Sequence, residues 1–211
     1  RVIDRTLRPL FPEGMRNDVQ VTAMVLSIDG VNEPDMLAVN AASMALAISD
    51  IPFDGPVAGV RVGKIGGQYV INPTQEQQKE SLMDLVVCGT ADHIIMVEMG
   101  ANLVKEEEIV EAIKFAQPAL GELVKCQLEF IKQVGKPKSE PIIIKPNEQV
   151  FKKVEELATA DKIDSAVYVK SKETREKNIS ELEKQIAQEV KAALGEIAGV
   201  SIENETAKAL D

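Results

Sequence analysis

The chain has 211 residues and a net charge of −10, with 24 Lys and Arg against 34 Asp and Glu; 45% of it is hydrophobic and 27% charged. Its length suits one or two compact domains, and its composition excludes a disulfide-stapled miniprotein, a disordered chain and a collagen-like repeat. The acidity excludes broad coating of nucleic acid, because a polyanion must be met by clustered Lys and Arg; any such contact is local.

The first residues, Arg1-Val2-Ile3-Asp4-Arg5-Thr6-Leu7-Arg8, already have helical spacing, with no initiator Met and no cap. Arg1, Arg5 and Arg8 repeat at intervals of four and three, which places three guanidiniums along one helix face while Ile3, Leu7 and Leu10 turn to a core. Planar guanidinium forks suit phosphates. The competing reading is that Asp4, Glu13 and other acids pair with them as ordinary surface ion pairs. Val19 to Ile28 (VQVTAMVLSI) predicts a mostly buried strand ending in a turn at Asp29-Gly30. Asn32 and Asp35 offer caps for a helix over Met36 to Ser49, with Leu37, Ala41, Met44, Ala45 and Ile48 as its buried stripe. Val57 to Ile65 and Gln68 to Asn72 flank Gly66-Gly67, a tight hairpin requiring positive φ. Asp84 to Cys88 and His93 to Met99 flank Gly89-Thr90-Ala91-Asp92, a second hairpin. Val104 to Val134 predicts a long helix with Glu106, Glu107 and Glu108 at its positive end and a kink at Pro118.

A composition break follows at Gly135-Lys136-Pro137-Lys138-Ser139-Glu140-Pro141 and Pro146, which predicts a linker over 136–147. Residues 1–135 carry 11 basic and 19 acidic side chains, a charge of −8; residues 136–211 carry 13 and 15, a charge of −2. The domains expected are therefore an α+β part over 1–135 and a small all-helical part over 148–211. In the latter, Gln149 to Thr159 and Lys172 to Ala198 read as helices, with Ile179, Leu182, Ile186, Val190 and Leu194 on one face. Thr206 to Asp211 stops inside a helical pattern, and together with the uncapped start this predicts a segment of something longer.

Few residues offer chemistry. Gly59-Val60-Arg61-Val62-Gly63-Lys64-Ile65 is one position short of a phosphate-cradling loop, and Ile65 stands where a hydroxyl would hold magnesium, so the strand reading wins. Cys88 and His93 face each other as thiol and base across the second hairpin in a thiol-enzyme reading, but no third group orients them. His93 is the single histidine, which excludes any two-histidine mechanism or His-rich zinc site. Cys88 and Cys126 form no metal-knuckle spacing and fit a reducing, cytoplasmic setting. No apolar run reaches the ~18 residues of a membrane span. Asp29 to Asp35 loosely follows a calcium loop that Pro34 spoils, and Glu106 to Glu108 with Glu111 is explained by helix-start electrostatics.

The run from Arg1 to Val21 (RVIDRTLRPLFPEGMRNDVQV) closely resembles the bacterial polynucleotide phosphorylase family. Matches continue in order at Ile51-Pro52-Phe53-Asp54-Gly55-Pro56, Val60-Arg61-Val62-Gly63, Tyr69-Val70-Ile71-Asn72-Pro73-Thr74, Asp84-Leu85-Val86-Val87-Cys88-Gly89-Thr90 and Met96-Val97-Glu98-Met99-Gly100-Ala101. Thr6 is a local departure, standing where the family often has Pro. The resemblance covers the latter half of the family's first RNase PH-like domain and the all-helical domain after it. It implies an α+β fold: a β-α-β unit, an antiparallel meander and a long helix, then a small all-α domain.

That family degrades RNA from its 3′ end by phosphorolysis, releasing nucleoside diphosphates with a divalent metal, Mg2+ or Mn2+, in a ring-shaped homotrimer; RNA and inorganic phosphate are its substrates, and RNA-degradation complexes its partners. The resemblance places the chemistry in the second RNase PH-like domain, beyond Asp211, together with the KH and OB-fold modules, and puts an RNA-gripping arginine loop just upstream of Arg1. Two aspartates of the active domain, six apart, would fall here near Glu76 and Leu82, and Leu cannot bind metal or move a proton. No catalytic or metal residue is therefore expected in this stretch, no cofactor of its own, and no activity in isolation; Arg1, Arg5 and Arg8 are the expected RNA contacts. The alternative is a noncatalytic assembly or adaptor protein on the same fold whose helical part docks another protein.

Overall fold

The structure, a computed structural model, describes residues 1–143, 147–195, 197 and 200–210. The chain divides into two compact units, Arg1–Ile143 and Ile144–Asp211.

The first unit is built on a four-stranded antiparallel sheet of order β2-β1-β3-β4, from β1 (Ala58–Ile65), β2 (Gln68–Ile71), β3 (Met83–Gly89) and β4 (Ile94–Ala101). Gly66 and Gly67 sit at φ 56° and 83°, the two positive values a two-residue hairpin needs, and set the register that pairs Ile65 with Gln68. Val60 and Val62 then lie opposite Val87 and Leu85, so alternate residues of β1 and β3 share one face. That face is closed by Ala112, Ala116, Leu120 and Val124 of the long helix α4 (Glu106–Val134). On the opposite face Val86, Cys88 and Met96 pack against Met36 and Val39 of α2 (Asp35–Ile48). Gly59 makes the approach possible: a Cβ there would lie 3.0 Å from Cys88 Sγ and 3.1 Å from a methyl of Val39. The short helix α1 (Val2–Leu7) inserts Leu7 among Ala42, Leu46, Phe53 and Val57.

Several sequence expectations change. Val19 to Ile28 forms no strand; the segment runs outside the sheet, with Met24 76% and Leu26 88% exposed. β-branched composition favours a pleated surface only where a neighbouring strand supplies the ladder, and none pairs with it among the described residues. The buried stripe of α2 is also not the expected one. Met36, Val39, Ala42, Ser43, Leu46 and Ala47 face inward, while Leu37 is 71% exposed. The helix is apolar nearly all round, so periodicity alone does not choose its inner face. A further helix, α3 (Gln75–Glu80), begins with a capping box in which Thr74 and Gln77 satisfy each other's backbone N–H groups. α4 continues without interruption through Pro118.

The second unit holds α5 (Glu148–Leu157), α6 (Ala160–Val167), α7 (Lys172–Leu194) and α8 (Ile202–Leu210) around Val150, Val154, Ile186, Val190 and Ile202. Asn147 and Ser171 cap α5 and α7 through their side-chain oxygens. α7 stops before Gly195, at φ 69°, short of the expected end at Ala198, which lies outside the described residues, as does Pro146 of the expected linker.

Candidate nucleic-acid interface

The arginine face rests on a well-anchored helix. Leu7 is 3% exposed, and Thr6, fully buried, donates its hydroxyl to Val2 O at 2.8 Å, so α1 is held by its inner side while Arg1, Arg5 and Arg8 face solvent. Two of the three are engaged. Arg1 Nη2 lies 2.6 Å from Glu98 Oε1 on β4, and Arg8 Nη2 lies 2.5 Å from Asp4 Oδ1 one turn back. Arg5 makes no ion pair among the described residues. The hydrogen bond from Arg1, with the charges of Arg1 and Arg5 behind it, holds the Glu98 carboxyl below the ordinary carboxylate range.

Beside α1 opens a cleft of about 750 Å³, lined by Arg1, Asp4 and Arg8 together with Glu13, Asn17 and Asp18. Three carboxylates thus share it with two guanidiniums, and it is not a cationic basin. The uncommitted positive charge of this face is Arg5.

The other candidates resolve into structure. Gly59 to Ile65 is strand β1, with Gly63 packed against Pro73 and Ser81. Cys88 pairs with Met96 in the sheet, whereas His93 sits exposed in the turn, so the hairpin does not set thiol and imidazole opposite each other. Burial pushes the Cys88 thiol above its usual range, which disfavours the thiolate a nucleophile requires. Asp29 is a turn residue: its Oδ1 accepts the N–H groups of Val31 and Asn32, both at 2.8 Å, and these bonds hold its carboxyl low. Glu108 binds Lys64 and helps tie α4 to β1, while Tyr69 donates its hydroxyl to Glu108 O at 2.9 Å.

Sequence reasoning passed over Arg61. Its side chain, 15% exposed, forms ion pairs with Asp35 of α2 and, at 2.5 Å, Asp84 of β3. The signal was present as a lone guanidinium within an apolar strand, a placement that calls for carboxylate partners.

Near the positions where the resemblance puts the two aspartates, Glu76 lies on α3, 2.7 Å from Lys79, and the Leu82 side chain offers no oxygen. These residues do not fit a divalent cation. Among the described residues no group of three or more His, Cys, Asp and Glu gathers to hold a metal, and no helix is long and apolar enough to cross a membrane.

Comparison with known proteins decides the family. Residues 1–52 match the model of the 3′ exoribonuclease family, domain 1, and residues 55–119 match that of domain 2. The chain belongs to the 3′ exoribonuclease family. Among the relatives of this chain, the polyribonucleotide nucleotidyltransferase of Bacillus cereus (strain ATCC 10987 / NRS 248) is 45% identical over 192 residues, 91% of this chain. That of Bacillus anthracis (strain CDC 684 / NRRL 3495) gives the same figures. The chain spans 27% of the length of each. The two family models meet just before the cis Gly55–Pro56 peptide that leads into β1.

Proposed function

We propose that this chain is a catalytically silent segment of a polynucleotide phosphorylase, in which inorganic phosphate attacks the 3′-terminal phosphodiester of RNA and releases nucleoside diphosphates. The observation that carries the silence is the pair Glu76 and Leu82, one carboxylate tied to Lys79 and one hydrocarbon where the chemistry needs two free carboxylates. Mg2+ or Mn2+, the homotrimeric ring and cytoplasmic RNA-degradation partners belong to the complete enzyme in this reading.

The segment's own part is scaffold plus one phosphate contact. Arg5 is the principal contact, because its guanidinium is exposed and carries no ion pair among the described residues; Arg1 and Arg8 contribute only as their carboxylate partners exchange for phosphate. Incubation of the purified 211-residue chain with polyadenylate, phosphate and Mg2+ is expected to release no nucleoside diphosphate, and release would overturn the silent assignment. In the complete enzyme, Arg5→Glu is expected to weaken RNA binding and to flatten the dependence of log K on log salt by about one phosphate's worth. Unchanged binding would return the arginine face to the ion-pair reading.

A further inference from the structure

Residues 136–143, the described part of the expected spacer before Pro146, are bonded to the rest of the first unit at several points. Lys136 donates its N–H to Ile48 O at 3.0 Å. Lys138 Nζ donates to Leu46 O, Ala47 O and Ser49 O at 2.8, 3.0 and 2.8 Å, and Ser139 donates both its N–H and its hydroxyl to Asp50 O at 2.8 and 2.9 Å. Carbonyls at the C-terminus of a helix lack intrahelical partners, and a cation is the group best suited to gather them. This segment therefore caps α2.

Three residues further on it grips something else. Ile142 donates its N–H to Asn17 Oδ1 at 3.2 Å and accepts the N–H of Arg16 at 3.2 Å, and Ile143 forms an antiparallel bridge with Met15. Met15 and Asn17 are among the residues that line the cleft beside α1. Apart from this pairing, the described backbone hydrogen bond that shapes residues 12–19 is the turn from Met15 N–H to Pro12 O, 3.1 Å. The hydrogen bonds that hold residues 15–17 of this lining therefore come from the strap and that turn, while Phe11 and Val19 on either side pack on the core.

We propose that residues 136–143 form a latch that closes as one unit, with Lys138 as its fastening and the position of the cleft wall as its output. The two grips are mechanically joined. Between Lys138 and Ile142 lie Ser139, itself bonded, Glu140, and Pro141, whose ring fixes φ, so little slack separates the cap on α2 from the pairing with Arg16 and Asn17. Pro137 stiffens the approach from α4 in the same way. Burial draws the Lys138 ammonium below its usual range, with Asp50 opposing the shift, as befits a cation taken from water and returned to carbonyl oxygens. The latch does not depend on what occupies the cleft, so it stands or falls separately from the RNA reading.

Coupling of this kind is reciprocal, and hydrogen exchange on the 211-residue chain reads it from both ends. Lys138→Met removes the ammonium and keeps the stem; the Ser139, Ile142 and Arg16 amides are expected to exchange together about tenfold faster, while Leu120 and Val124 in α4 keep their protection. Ile142→Pro deletes the donor at the far end and is expected to speed Ser139 and Lys136. Faster exchange at Ser139 alone in Lys138→Met, with Arg16 unchanged, would overturn the proposal, as would an unchanged Ser139 in Ile142→Pro. Loss of α4 protection would signal global unfolding, and Asn17→Ala and Lys138→Arg then decide: the first must speed Ser139 and the second must leave Arg16 protected, and failure of either overturns the latch.

Discussion

Strand β3 and the segment Val19 to Ile28 are built from the same kinds of residue and end in opposite environments. β3 has a hydrogen-bonded neighbour on each side and a helix over each face, and Leu85, Val87 and Cys88 have no exposed surface. Residues 19–28 have no ladder among the described residues, and Met24, Val25, Leu26 and Ile28 are each more than half exposed. They run beside the outer stripe of α2, where Leu37, Ala38, Ala41 and Ala45 line an open groove of about 630 Å³. The difference teaches that an apolar β pattern states what a segment can bury, whereas burial itself is conferred by the neighbours that arrive.

Substitutions should reproduce that contrast. The largest effect is expected from Leu85→Ala: the side chain is fully enclosed, and the cavity should cost about 2–5 kcal/mol in chemical denaturation. Loss of less than about 1 kcal/mol would mean that β3 is no better packed than residues 19–28. Next comes Gln127→Leu, which tests the polar tie behind the core. Ser43 donates its hydroxyl to Gln127 Oε1 at 2.9 Å and accepts Val57 N–H at 2.9 Å, while Gln127 Nε2 donates to Val57 O at 2.7 Å. Removing the amide strands a buried hydroxyl and a buried carbonyl, for an expected loss of about 1–3 kcal/mol by the same measurement.

A smaller, pH-dependent effect is expected at the clasp between α4 and β1. Lys64, followed by the Lys105 backbone N–H, holds the Glu108 carboxyl below its unfolded value. A depressed carboxylate contributes stability above its unfolded pKa, and loses it as pH falls through the folded one. The stability gap between wild type and Glu108→Gln should therefore be present at neutral pH and close below about pH 4; a gap that persists at lower pH would assign the effect to packing. The smallest change is expected from Leu26→Ser, within about 0.5 kcal/mol of wild type, because the side chain is 88% exposed. A large destabilisation there would show that residues 19–28 support this fold as firmly as β3 does.

How much was legible varies with the range of the forces involved. The Gly66-Gly67 hairpin was readable because two adjacent glycines admit the positive φ pair at no steric cost. α3 was readable in principle from Thr74 and Gln77 at capping-box spacing, a signal overshadowed by the helix's brevity. Arg1, Arg5 and Arg8 were identified as one face, but the division of labour among them was not, since Glu98 lies 97 residues from the arginine it binds. The bonded strap over 136–143 was hidden for the same reason: Lys138 reaches carbonyls some 90 residues earlier, while Pro137 and Pro141 locally read as a spacer.

The sequence by itself determined the glycine turns, the periods of most helices and strands, and the family, but not the cap of α2, where Pro34 rather than Asn32 or Asp35 stands at the N-cap without a side-chain hydrogen bond; what it determined depends on residues within a few positions or on the ordered identity of long matches. Tertiary structure decided which face of α2 lies inside, which arginine of α1 has no ion pair among the described residues, and that residues 19–28 stay outside the sheet. Each of those outcomes turns on the arrival of a distant surface or carboxylate, and desolvation and charge pairing act through space, without regard to the number of residues between partners.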